Sequence, residues 1–326
     1  MARETERPWA AIRSLIELTE PRTKAASLVP FIFGVAWAAW RYRAFSPENT
    51  ALFFASLLPV DLATTALNNA MDWRRSARSS VGRGEGPAGL SFRAAVAVTA
   101  LLFCAGIAAG LSLAFRTDAL VFFVGAAAVG VALAYSAGPL PISRTPFGEL
   151  FSGVTMGAGI PFVATYVQFS IGSGAPVSLD LRWPLAALSV NLAEAGAIIL
   201  ASAPFAILIA GVMLANNIRD MEADRASGRL TLPLTVGRAA ALRLFAALQA
   251  SAFLVTLAAV ALGCLPPFAL AALLAAPQAA RGTLRFLKSA PDAVPFGVSV
   301  GNLFRAGGLI ALGTLVAAVS GASAFP

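Results

Sequence analysis

Apolar residues run along this chain in blocks of about twenty, separated by short segments that hold most of the charge. Blocks of that length match the hydrocarbon thickness of a bilayer, because a helix rises only about 1.5 Å per residue. Most of these blocks are apolar all round, whereas a surface helix of a soluble domain shows a single apolar stripe. The pattern predicts spans at 25–42, 50–72, 91–115, 118–136, 147–170, 190–217, 240–262, 266–287 and 297–321. The segment 171–189, with Gly172, Gly174, Pro176 and Pro184, reads as a loop with an interfacial stretch.

The polar signal repeats. Asn68-Asn69-Ala70-Met71-Asp72 and Asn216-Asn217-Ile218-Arg219-Asp220 share the pattern N-N-x-x-D. Each copy closes an even-numbered span on one membrane face, and an Arg- and Gly-containing loop follows each. Four spans separate the copies. The expected fold is therefore all-α: a single membrane-embedded domain over 1–326, built as two four-helix pseudo-repeats plus one closing helix, about nine transmembrane helices in all.

Composition agrees, with 58% hydrophobic and 12% charged residues and a mean hydropathy of +0.77. The net charge of +8 would suggest nucleic acid in a soluble protein, but here the cations sort by loop. If the N-terminus is cytoplasmic, cytoplasmic segments hold 19 of the 24 Lys and Arg residues. The opposite side holds Arg41, Arg43, Arg116 and Arg182, and Arg305 lies within the last span. That asymmetry is the positive-inside pattern of an inner-membrane protein with its C-terminus outside, and no nucleic-acid partner is expected. The N-terminus, with Arg3, Glu4, Glu6 and Arg7, lacks a signal-peptide layout. Histidine is absent, which excludes His-ligated metals and Ser-His catalysis. Cys104 and Cys264 fall inside apolar blocks and read as small hydrophobes.

The motifs carry the chemistry. Residues four apart share a helix face, so Asn68 and Asp72 project together, as do Asn216, Asp220 and Asp224. Oxygen donors in that arrangement suit Mg²⁺, which binds one or two carboxylates and leaves positions for phosphate oxygens. Two such clusters at one rim could hold a diphosphate through the metal. Cations on the same face are Arg22, Lys24, Arg74, Arg75, Arg78, Arg83, Arg144, Arg219, Arg225 and Arg229. Guanidinium suits phosphate because its planar fork donates paired hydrogen bonds; some of these ten are expected to contact substrate, the rest to orient the chain and touch anionic lipid. Tyr135 points either into a cavity or to the interface. Asp61 lies three turns deeper than Asp72 on roughly the same face, either near a second substrate or tied to a structural partner such as a buried hydroxyl.

The segment Asn216 to Arg225, followed by Gly228 and Thr231-Leu232-Pro233, closely resembles the second aspartate motif of the UbiA superfamily of intramembrane prenyltransferases. Three further segments are similar to its 1,4-dihydroxy-2-naphthoate (MenA) branch: Glu20-Pro21-Arg22-Thr23, Tyr135-Ser136-Ala137-Gly138-Pro139 and Gly148-Glu149-Leu150. The resemblance implies a nine-helix bundle whose active site opens to the cytoplasm. It implies Mg²⁺-diphosphate held by Asn68, Asp72, Asn216, Asp220 and Asp224, with catalysis resting on Asp72, Asp220 and Asp224 and the isoprenoid tail in an apolar channel. The implied reaction is transfer of a polyprenyl chain to an aromatic acid, 1,4-dihydroxy-2-naphthoate in menaquinone synthesis. Alternatives are another acceptor such as 4-hydroxybenzoate, a catalytically impaired prenyl-diphosphate binder, and a secondary transporter; the last would place its acids at the midplane and not at one face. The chain departs from the family pattern in three places. Ser76 and Arg78 stand where a further Asp is usual, Arg229-Leu230 replaces a Lys-Arg pair, and Asp61 replaces an amide. Arg78 is accordingly expected to contact diphosphate in place of the missing acid.

Overall fold

The computed structural model describes residues 12–76, 90–169, 175–182, 185–290 and 293–322. It is nearly all helical. A short helix α1 (residues 12–19) leads through a 3-10 turn, Pro21–Lys24, into α2 (Ala25–Tyr42). Then come α3 (Pro47–Ser76), α4 (Phe92–Arg116) and α5 (Ala119–Ser136). The fifth pass is composite: α6 (Gly148–Ser152), a π segment (Gly153–Gly159) and α7 (Ile160–Tyr166). After it follow α8 (Leu192–Arg219), α9 (Met221–Ala226), α10 (Leu232–Val236) and α11 (Arg238–Ala261). A 3-10 segment (Pro267–Ala275) continues into α12 (Ala276–Leu287). The last pass joins α13 (Gly297–Asn302), a second π segment (Leu303–Gly307) and α14 (Gly308–Val319).

By length and apolarity, six helical stretches among the described residues can cross a membrane: α3, α4, α5, α8, α11 and the last pass. They coincide with six of the nine expected spans. The other three expected spans are helical as well, but α2 falls outside that set and the other two change helix type partway.

The expected loop 171–189 contains a structure that was not anticipated. Val177–Arg182 (β1) pairs antiparallel with Leu185–Val190 (β2), in register Val177 to Val190. Every residue of β2 is exposed. The alternation of Val177-Ser178-Leu179-Asp180-Leu181-Arg182 was the available signal, since a period of two marks a strand.

The most extensive helix pairings are α3 with α4 and α8 with α11, which are equivalent pairs in the two repeats. Small residues make both halves close-packed, as membrane helices require in the absence of a hydrophobic driving force between them. A Cβ at Gly106 would lie 2.8 Å from the Ser56 carbonyl oxygen, and one at Gly157 only 2.3 Å from the Ala206 backbone. The core between α2, α8 and α14 contains the fully buried Phe33, Trp37 and Phe205. At the far end of α2, Arg41 and Tyr42 both bond Glu194 at the start of α8, at 2.9 and 2.6 Å. This lock leaves the opposite ends of α3 and α8, where the motifs lie, facing one rim.

Candidate active site

The first motif lies in the last turns of α3, and helix continues past it to Ser76. The second lies where α8 stops: Asp220, with φ −93° and ψ 8°, separates α8 from α9. Backbone bonds from Asp220 N to Asn216 O (3.0 Å) and from Asp224 N to Asp220 O (2.8 Å) preserve the four-residue stacking across that break. The expected grouping of Asn216, Asp220 and Asp224 therefore survives a change of helix.

Arg229 joins the two motifs. It donates one hydrogen bond to Asp72 Oδ2 and another to Asp224 Oδ1, the latter at 3.2 Å. Its position follows from the loop after α9. Gly228 takes a left-handed conformation at φ 67°, which a residue without Cβ adopts at no steric cost, and Arg229 N then bonds Asp224 O at 2.9 Å. The next residue is tied to the loop after α5, through Leu230 N to Arg144 O at 3.0 Å. Arg144 returns a hydrogen bond to the Ser227 carbonyl. Two loops and the end of α3, from both repeats, thus converge on one ion cluster.

Asp72 also faces Arg75 at 3.5 Å and Arg144 at 3.9 Å. Three guanidiniums around one carboxylate leave an excess of positive charge. Burial lowers the Arg144 pKa, and the neighbouring Arg229 and Arg75 lower it further. Arg229 is also buried, which works against its charge, but its hydrogen bond to Asp72 and the charges of Asp72, Asp224 and Asp220 together outweigh this and raise its pKa. Asp224 is buried at 3% exposure; burial raises its pKa, Asp220 adds to the rise, and Arg229 opposes it. Such a carboxylate is better stabilised with a cation beside it.

Asp220 lies in the fork of Arg219, with bonds of 2.7 and 2.8 Å, and Arg219 also bonds Asn216 Oδ1 at 2.7 Å. Among the described residues no three acidic or sulfur side chains are gathered closely enough to hold a metal; Arg side chains stand between the carboxylates. The donor chemistry nonetheless fits a hard cation. All the candidates present oxygen, and Asn68 Oδ1 is buried with no hydrogen-bond partner.

The second Asn of each motif has a different task. Asn69 donates to Glu20 Oε1 and Asn217 to Glu149 Oε1, both at 2.9 Å. Each Glu stands where the first pass of its repeat begins. The same bond therefore braces the motif helix against that pass in both halves, which the sequence pattern alone did not reveal.

The remaining predicted residues are placed as follows. Lys24 and Asp61 pair at 3.1 Å; Ser27 donates to Asp61 at 2.6 Å, and Lys24 also reaches Thr65. Tyr135 accepts a hydrogen bond from Ser152 at 3.2 Å. Arg225 pairs with Glu222 at 3.2 Å on the exposed side of α9. Arg22 lies in the 3-10 turn before α2, while Arg78 and Arg83 lie outside the described residues. Arg75, one of the ten expected rim cations, also donates to the Ser136 carbonyl at 3.4 Å.

Deeper than the rim is an apolar cavity of about 730 Å³ between α3, α4, α5, the first π segment and α8. Phe53, Val60, Phe122, Val131, Thr155 and Ile199 are among its walls. Val131 lies one turn from Tyr135, and Val60 roughly two turns from Asn68. A charged rim over an apolar cavity suits an amphiphile with an anionic head.

Comparison with known proteins agrees with this geometry. A 1,4-dihydroxy-2-naphthoate octaprenyltransferase of Bacillus subtilis (strain 168) is 28% identical over 279 residues, covering 84% of this chain and 82% of that protein. The protein of the same name from Mycobacterium tuberculosis (strain ATCC 25618 / H37Rv) is 27% identical over 297 residues, covering 88% and 91%. Among solved structures, a UbiA homolog from Aeropyrum pernix K1 superposes with a TM-score of 0.63 at 17% identity, covering 90% of this chain and 97% of that one. A UbiA homolog from Archaeoglobus fulgidus bound to GPP and Mg²⁺ gives 0.60 at 16% identity, covering 94% and 98%. The profile of the UbiA prenyltransferase family matches residues 27–296, well over half of the sequence, and with the paired motifs at one rim this establishes the chain as a multi-pass membrane prenyltransferase of that family.

Proposed function

We propose that this prenyltransferase moves a polyprenyl group from its diphosphate to an aromatic acid, with 1,4-dihydroxy-2-naphthoate as the acceptor. The observation that carries the reading is the Arg229 bridge from Asp72 to Asp224, which places both motifs around one cationic centre above an apolar cavity. The acceptor is taken from the relatives that bear that name.

Asn68, Asp72, Asn216, Asp220 and Asp224 would hold Mg²⁺. Bound there, the metal would neutralise diphosphate oxygens as negative charge develops on them. Arg75, Arg144 and Arg229 supply fixed cations at the same place, and their forks match phosphate oxygens. Such preorganised charge favours departure of diphosphate with the electron pair of its bond to the allylic C1. The apolar walls hold the tail and keep water from C1. A carbon of the electron-rich ring bonds to C1, and the ring regains aromaticity by losing the group which that carbon carried: a proton from an unsubstituted carbon, or CO₂ in its place where the attacking carbon of the naphthoate bears the carboxylate. No covalent bond to the protein is needed.

The test is turnover by purified protein with Mg²⁺, polyprenyl diphosphates and a panel of aromatic acids. Prenylated product from 1,4-dihydroxy-2-naphthoate is expected. Turnover of 4-hydroxybenzoate alone would overturn the acceptor, and no product from any acid would overturn the reaction.

A further inference from the structure

Away from the acidic rim, a cavity of about 400 Å³ opens between α12 and α13, and its walls include Arg281, Arg285 and Arg305. Gln278 and Asn302 complete its polar lining. None of the three guanidiniums pairs with an acid among the described residues. Among the described residues, Arg281 bonds only the Pro277 carbonyl within its own helix, at 3.2 Å, and Arg305 only Asn302 Oδ1, at 3.4 Å.

This arrangement is costly in its setting. Arg305 sits roughly 12 Å into the last pass from Gly297, and a cation inside a membrane span is a functional-site candidate by default. The backbone accommodates it. Arg305 belongs to the π segment Leu303–Gly307, and interruptions of that kind recur at functional sites. Its guanidinium lies against Gly301, where an added Cβ would come within 2.9 Å of Nη2. Asn302 is 1% exposed, and it is held in turn by Gln249, whose Oε1 accepts from Asn302 Nδ2 at 2.9 Å. A buried polar chain thus orients the deepest of the three cations.

The cavity lies on the membrane face of the motifs, since Phe296, just before α13, stacks against Arg219 at 4.8 Å. Large apolar side chains one helical turn from Gln278 and Arg281, and beside Arg305, are exposed on these membrane helices. Leu284 is 55% exposed, Phe304 50% and Leu274 77%. An occupant therefore needs a phosphate for the guanidiniums and acyl chains for this surface.

We propose that Arg281, Arg285 and Arg305 form a binding site for the headgroup phosphate of an anionic phospholipid, separate from the diphosphate site. Basic pockets between membrane helices are suited to such headgroups. The site follows from these side chains alone and does not depend on which acceptor is prenylated.

Native mass spectrometry of the full-length protein in detergent tests it, with phosphatidylglycerol, phosphatidylcholine and inorganic phosphate as probes. Wild type is expected to retain phosphatidylglycerol at least fivefold over phosphatidylcholine, and millimolar phosphate should not displace it. Arg285→Gln, which removes no described hydrogen bond, should cut that preference at least threefold, as should Arg305→Gln. Equal retention of the two lipids, or an undiminished preference in Arg285→Gln, would overturn the site. Displacement of phosphatidylglycerol by inorganic phosphate would overturn the lipid as its occupant.

Discussion

At the residue scale, Asp72, Asp220 and Asp224 are oxygen donors whose neighbours are cations, not apolar side chains. Asp220→Asn and Asp224→Asn should therefore leave the fold intact and remove more than nine-tenths of turnover, a loss of at least about 1.4 kcal/mol of barrier stabilisation. Rates above a tenth of wild type in both, in a detergent assay with saturating donor, would remove these residues from the site. Arg229 gives a second, separable prediction. Arg229→Ala deletes the bridge between Asp72 and Asp224, so the apparent KM for polyprenyl diphosphate should rise about tenfold while that for the acceptor stays within twofold. Arg229→Lys should not restore it, because a single ammonium cannot present the two-pronged fork that meets both carboxylates. The motif residues were legible because they recur 148 positions apart at matched places. The bridge was not, because Arg229 meets Asp72 only after two loops from different repeats have packed together, and no local spacing encodes that.

At the element scale, each motif helix is held by a polar contact to a neighbouring pass. Lys24 is 3% exposed, and its pairing with Asp61 joins the turn that opens α2 to α3 within the bundle. Asp61→Leu leaves that ammonium buried and uncompensated, which typically costs about 3–5 kcal/mol. The double variant Lys24→Met, Asp61→Leu should recover most of the loss, since replacing both partners of a buried pair by apolar side chains is often neutral. Thermal unfolding in detergent measures both; equal destabilisation of the single and double variants would show that the pair is not the source. The spans themselves were legible from apolar blocks, because a helix in lipid must satisfy its own backbone and needs only length and apolarity to declare itself. The changes of helix type at Gly153–Gly159 and Leu303–Gly307 were not. The first arises where backbones approach closely, as Gly157 does Ala206, and so depends on the partner helix and not on the local sequence; the second surrounds the intramembrane Arg305. The matched bonds of Asn69 to Glu20 and Asn217 to Glu149 belong to the same class. Both partners were visible in the motifs, but only the fold shows that the second Asn braces a helix and leaves the first at the rim.

At the scale of the whole molecule, the distribution of charge makes a claim about direction. Cytoplasmic loops of membrane proteins are enriched in Lys and Arg, and the segments that the nine-span topology expects on the motif side hold 19 of 24 such residues. The motif rim should therefore face the cytoplasm, and the β1–β2 hairpin the opposite side. Ser227, after α9, and Ser178, on β1, are both exposed, and only α8 separates them as a crossing. In a Cys104→Ala, Cys264→Ala background, Ser227→Cys should react with a membrane-impermeant maleimide only when the cytoplasmic face is accessible. Ser178→Cys should react in intact cells or right-side-out vesicles. Reaction of both from one side would mean that α8 does not cross, and the pairing of the motifs on one rim would lose its basis. Reaction of each from the side opposite to that expected would preserve the fold but reverse it in the membrane. The prenyl donor would then have to be supplied from outside the cell, against the charge asymmetry that the loops display.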